Sequence, residues 1–170
     1  MPSDFPSKKR VSGFRAKPGT GIKKKLKAYM ESVVVDVFGY EKLVNKSIRS
    51  FACEVSRTWG VAADEVGVRI SYPGETLRVY LHVRGRKVKE LTVSELVRFF
   101  IGSTTSGMEQ KVAASVIRFL DEYAGHQSMQ PAHLQVFISS TEEGTVVQSF
   151  KQEVFIELIP VKYLIHYFKS

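Results

Sequence analysis

Apolar residues recur at three- and four-residue steps in two stretches of the first third of the chain. Ile22, Leu26, Met30, Val33 and Val37 predict a helix over 22–38 stopped by Gly39. Val44, Ile48, Phe51, Val55 and Trp59 predict a second helix over 41–59 closed by Gly60. The period then drops to two. Val68, Ile70 and Tyr72 alternate with Arg69 and Ser71, which is the signature of a strand with one face in the core. Pro73-Gly74 suits the two central positions of a type II turn. Leu77, Val79, Leu81 and Val83 then form the inward face of a return strand, with Arg78, Tyr80, His82 and Arg84 facing the other way. Gly85 turns the chain into a short third strand, Arg86 to Leu91.

Helical spacing returns at Thr92-Val-Ser-Glu95, a capping box in which the hydroxyl accepts from a free backbone N–H and the Glu reaches back to the cap. It opens a helix through Ile101 that presents Leu96, Val97 and Phe100 and ends at Gly102. A polar link, Ser103 to Gly107, leads to a second box, Ser106-Gly-Met-Glu109. The following helix runs to about Ala124 with Met108, Val112, Val116, Ile117, Leu120 and Tyr123 inward and Gly125 as its stop. After a loop containing Pro131, Leu134, Val136 and Ile138 mark a strand to Ser139, followed by an acidic turn over Ser140–Gly144. Residues 145–159 fit both periods, and their β-branched and aromatic content tips them to strand. Pro160 interrupts, and Val161 to Phe168 reads as a last strand. The order helices–strands, helices–strands hints at two similar halves, with no residue-level repeat evident.

The expected fold class is therefore α+β: helical pairs packed on antiparallel strands and hairpins, one globular domain over 22–170. A chain of 170 residues, 44% hydrophobic, is long enough to bury a substantial core.

Charge changes this picture at one end. Lys8, Lys9, Arg10, Arg15, Lys17, Lys23, Lys24 and Lys25 face only Asp4, so the first 25 residues hold +7 of the chain's net +8. Residues 1–21 have no apolar period and interleave Pro2, Pro6 and Pro18 with serines and glycines. They read as a disordered basic arm. Such an arm suits an anionic partner, because each Lys or Arg that neutralises a phosphate releases a counterion. Phe5 and Phe14 could stack on bases. The two clusters Lys8-Lys9-Arg10 and Lys23-Lys24-Lys25, 12 residues apart, also resemble a bipartite nuclear-import signal.

A second cationic surface is expected on the hairpin. Arg78, Tyr80, His82 and Arg84 are consecutive outward positions, and Arg86, Lys87 and Lys89 follow the turn. Guanidinium groups beside planar rings suit phosphates and stacked bases, provided helices cover only one face of the sheet.

Motifs for catalysis are missing. The four histidines form no His-x-x-x-His pair, the carboxylates are dispersed, and Walker and Gly-x-Ser-x-Gly patterns do not occur. Cys53 is the only cysteine, so no intramolecular disulfide can form. The expectation is a protein that is no enzyme and holds no cofactor and no metal. The N-terminus lacks the apolar centre of a secretory signal, and no run of 18 apolar residues exists. An intracellular location, cytoplasmic or nuclear, is expected, with neither a spanning helix nor a membrane-surface role. The favoured function is a nucleic-acid-associated structural protein, of packaging, nucleoprotein or virion-like type. The alternative is a self-associating or matrix-type subunit whose strand-rich end, Val154 to Phe168, pairs with another copy and whose arm is a targeting signal or docks on an acidic partner.

Overall fold

The computed structural model describes residues 41–102 and 107–169. The basic arm, the helix expected over 22–38 and Ser106 lie outside them. The described chain is a mixed α+β fold of four helices and one six-stranded antiparallel sheet. Helix α1 covers 41–59. Strands β1 (Val66–Ser71), β2 (Arg78–Val83) and β3 (Arg86–Glu90) follow, then helices α2 (Val93–Ile101) and α3 (Met108–His126). Strands β4 (Leu134–Thr141), β5 (Gly144–Lys151) and β6 (Val154–Ile159) lead into helix α4 (Val161–Lys169). The strand order is β3-β2-β1-β4-β5-β6, so two meanders are joined through β1 and β4.

The local starts and stops act as the sequence predicts in the first half. Thr92 Oγ1 accepts from the Glu95 amide at 3.1 Å, and the Glu95 carboxylate takes the Thr92 amide at 2.9 Å. Gly60 and Gly102 end α1 and α2 with φ of 68° and 84°, a region that costs glycine little. The β2–β3 turn is left-handed at both Arg84 and Gly85, as a two-residue hairpin of the I′ kind requires.

Other expectations are corrected. Gly74 does not adopt positive φ, so Pro73-Gly74 is no type II turn; residues 72–77 form an open six-residue connection. Gly107, with φ 87°, stands at the N-cap of α3 without a side-chain cap, and the Glu109 carboxylate accepts from Ser94 Oγ of α2 instead. Gly125 lies inside α3, which continues to His126. Trp59, expected on the buried stripe of α1, is 47% exposed, and Phe119, left off the α3 stripe, is buried. Residues 145–159 are strand as expected, in two pieces folded at Gln152 (φ 58°). The segment after Pro160 is a helix, not a strand. Tyr163, Leu164, Ile165, Tyr167 and Phe168 are all buried, a set that a strand would divide between two faces but that fits one broad side of a helix.

The two halves are copies of one unit. Each consists of a helix, a 3₁₀ turn, three strands and a short helix. Counterparts lie a constant 68 positions apart: the 3₁₀ turns start at 63 and 131, β1 and β4 at 66 and 134, and the closing helices at 93 and 161. Aligned at that offset without a gap, the identical residues fall mainly in the core: Val44/Val112, Phe51/Phe119, Val68/Val136, Ile70/Ile138, Val79/Val147, Leu96/Leu164 and Phe100/Phe168. A pseudo-twofold axis relates the halves. In the sheet, Arg69 pairs with its own counterpart Phe137. In the helix layer, the Phe100 ring meets its counterpart Phe168 at 5.0 Å. The repeat escapes sequence inspection because the surface positions have diverged almost completely.

All four helices pack on one side. Val66, Val68, Ile70, Val79, Leu81, Val136 and Ile138 point to them and join a single core with the helix stripes. That core contains a polar cluster found only in the second half. The Tyr123 hydroxyl donates to Glu157 Oε2 at 2.5 Å and lies 2.9 Å from Ser149 Oγ, and Gln127 donates to the same carboxylate oxygen at 3.1 Å. Tyr123→Phe removes a donor from a buried carboxylate and is expected to cost about 1–3 kcal/mol, read by urea unfolding. Burial first, then the Glu157 charge, pushes the Tyr123 phenol well above its usual pKa, and burial likewise raises Tyr163 and Tyr167. A raised folded pKa means stability that is intact below the ordinary tyrosine value of about 10 and is lost as pH climbs above it. Melting temperature should therefore fall steeply above about pH 10, and less steeply in Tyr123→Phe.

Candidate nucleic-acid interface

The strand residues that alternate with the core set face away from the helices, and no helix among the described residues packs on them. On β2 these are Arg78, Tyr80 and His82; on β1, Gly67, Arg69 and Ser71; on β4, Gln135, Phe137 and Ser139; on β5, Val146, Gln148 and Phe150. The register aligns them in rows: Tyr80 beside Arg69 beside Phe137 beside Gln148, and His82 beside Gly67 beside Ser139.

Arg69 and Phe137, on the pseudo-twofold, lean opposite ways. The Arg69 guanidinium lies over the Phe150 ring at 5.2 Å and near Phe137 at 5.9 Å, and Nη1 donates to Gln135 Oε1 at 2.5 Å. Its Nε is buried without a hydrogen-bond partner, and no carboxylate pairs with it, among the described residues. Phe137 leans across Gly67 to meet His82 edge-on at 5.7 Å. A Cβ on Gly67 would sit 2.1 Å from Phe137 Cζ, so this glycine is what lets the ring lie over β1. Burial, and next the Arg69 charge, hold the His82 pKa below 6.5. At neutral pH the ring is therefore an uncharged planar surface.

Further out, Lys87 Nζ sits 4.3 Å from the Tyr80 ring centroid, and Arg78 Nη1 donates to Tyr80 Oη at 3.2 Å. On the opposite flank Phe155 of β6 packs edge-on against Phe150 at 5.7 Å and is 50% exposed.

Of the hairpin residues expected at the interface, the structure brings together Arg78, Tyr80, His82 and Lys87, with Arg69 on the same face of the neighbouring strand β1, as the alternation of both strands implies. Three others go elsewhere. Arg84 occupies the turn and pairs with Glu65 at 3.2 Å. Lys89 lies on the helix side, where Glu95 holds it at 3.3 Å. Arg86 pairs with Val83 and shares its side of the sheet. A bulge between Leu81 and His82 in the β2–β3 ladder sets Lys87 and Lys89 on opposite faces in this way. Lys8 to Lys25 lie outside the described residues. Phe137, Phe150 and Phe155 were missed by sequence reasoning. Their signal was the alternation Gln135, Phe137, Ser139 opposite Leu134, Val136, Ile138, which counts as a surface only once the helices are known to cover one face.

Cys53 is half-buried, and no group of three or more metal-ligating side chains occurs among the described residues. No helix among them is long and apolar enough to cross a membrane. The fold and face define a duplicated α+β unit with an open cationic and aromatic sheet. Scans against protein-family models, curated proteins and solved structures return no significant match.

Proposed function

We propose that this chain is a non-catalytic nucleic-acid-associated protein, of the kind that packages or organises nucleic acid within an assembly. Its basic N-terminal residues neutralise phosphates, and the open sheet face extends the binding track. One observation carries this reading: the face on which no described helix packs gathers Arg69, Arg78 and Lys87 among the rings of Tyr80, His82, Phe137 and Phe150, with Glu90 of β3, 3.9 Å from Arg78, as the only carboxylate in register with them among the described residues. Cations interleaved with planar rings serve the two chemistries every nucleic acid offers, phosphate and base. Titration of the intact chain into labelled oligonucleotides at several salt concentrations tests it. Micromolar or tighter binding that weakens steeply with salt is expected, and absence of binding at low salt would refute it.

A second reading, a self-associating subunit, is favoured by β6. This edge strand exposes Val154 (69%), Phe155 (50%) and Leu158 (52%), whereas the opposite edge, β3, carries Arg86, Lys87, Lys89 and Glu90. Charge guards one edge against pairing and not the other. Sedimentation showing a mass that rises with concentration, and reverts in Val154→Lys, would support that reading.

A further inference from the structure

The duplication makes the two halves of the open face directly comparable, position by position. Arg78 of the first half corresponds to Val146 of the second, His82 to Phe150, Lys87 to Phe155 and Glu90 to Leu158, each at the offset of 68. Each charged residue that the outer strands of the first half present on the open face, Arg78, Lys87 and Glu90, has an apolar counterpart in the second, whereas Lys89 on the helix side corresponds to the charged Glu157. The backbone positions are equivalent, and only the chemistry differs.

We propose that the face takes single-stranded nucleic acid and divides the work between its halves: Arg78 and Lys87 of the first half hold phosphates, and Phe150 and Phe155 of the second stack unpaired bases. This rests on the nucleic-acid reading above and deepens it. A duplex offers its phosphates outward and keeps base faces inside the stack, so exposed rings gain nothing from it. A single strand presents both. Phe150 and Phe155 stand edge-on to each other, so a base can lie on either ring without displacing the other. Arg69, between the halves, already covers one side of the Phe150 ring and so fixes it in place. The Lys87 ammonium lies over the Tyr80 ring and the Arg78 guanidinium at its hydroxyl, with the exposed Glu90 carboxylate 3.9 Å from Arg78, so a phosphate on this side of the axis would replace a solvent-screened pair.

The experiment compares three probes on the full chain by fluorescence anisotropy: a single strand of about 12 nucleotides (as RNA and as DNA), an abasic strand of the same length, and a blunt duplex. Phe155→Ala is the primary variant, because its side chain is half-exposed and its loss should leave the melting temperature intact; Phe150→Ala is the second. Each should weaken binding of the base-bearing strand about 5- to 150-fold while leaving the salt slope and the abasic strand unaffected. Arg78→Gln and Lys87→Gln should each flatten the salt slope by about 0.7 for both the normal and the abasic strand. Arg57→Gln, an exposed residue of α1 on the helix side, should change the slope for neither. Equal affinity for abasic and normal strands, preference for the duplex, or phenylalanine variants that bind like the parent would overturn the division of labour while leaving nucleic-acid binding in place. Failure of the intact chain to bind any probe would overturn the broader reading as well.

Discussion

Phe119→Ala is expected to lower the unfolding free energy by about 3–5 kcal/mol, and Phe51→Ala, at the matching position of the other half, by distinctly less. Both rings are buried and both stand edge-on to the counterpart aromatic of the closing helix: Phe51 to Phe99 at 5.1 Å, Phe119 to Tyr167 at 5.8 Å. Their surroundings differ. Phe119 also meets Tyr123 at 6.1 Å and Tyr163 at 5.7 Å, and those tyrosines are tied into α3 and α4. Tyr167 in turn donates to Glu122 at 2.8 Å. A cavity at Phe119 is walled by side chains whose hydroxyls are anchored, so it cannot collapse easily. Phe51 has the exposed Arg98 guanidinium 5.5 Å away on its outer side, and a flexible side chain can move into the space left by truncation. Since natural domains have only about 5–15 kcal/mol of stability, the Phe119 variant should be close to unfolding at physiological temperature. Urea denaturation of both variants checks this, and equal losses would refute the argument from anchored walls.

Deleting residues 1–25 should reduce the slope of log affinity against log salt by up to about 5–6, because eight cations each contribute about 0.7 on a single strand. At low salt the same deletion should weaken binding by orders of magnitude. The remaining residues carry 17 basic and 16 acidic groups, so the body has almost no net field to attract a polyanion from a distance. What survives should be short-range binding by the sheet face, weak and less sensitive to salt. A slope that changes by less than about 1 would move the phosphate contacts to the body. Binding that disappears entirely on deletion would mean that the face adds little by itself.

Much of the local structure is determined within a few residues of itself. The alternation from Val79 to Val83 makes β2, the Thr92/Glu95 box starts α2, and Gly60 and Gly102 end their helices through the left-handed conformation. These features need no knowledge of the rest of the chain, which is why the first half could be read closely. The second half is less legible because its signals are ambiguous at short range. Over the eight residues Val161–Phe168, apolar side chains fill so many positions that a period of 2 and a period of 3.6 both fit. What selects the helix is the presence of Leu96, Phe100 and the α3 stripe to receive Leu164 and Phe168.

The candidate site shows the same division. That Arg78, Tyr80 and His82 share one face follows from the pleat of β2 alone. That Arg69 sits beside Tyr80 follows from pairing β1 with β2; that Phe137 continues the row, with Phe150 one row away on β5, follows from pairing β4 with β1 and β5, where β1 and β4 begin 68 residues apart. A bulge of one residue separated Lys87 from Lys89, and no local pattern announces it. The sequence by itself determined the helix and strands of the first half, the Thr92/Glu95 cap, the glycine stops at Gly60 and Gly102, and the separation of a basic N-terminal segment from a nearly neutral body, because each depends on neighbours or on composition. Only the tertiary structure decided that the chain is two copies of one unit and which cations and rings meet. Strand register and the choice of covered face are set by contacts between distant segments, where the free energy of burying one face of a sheet overrides local preference.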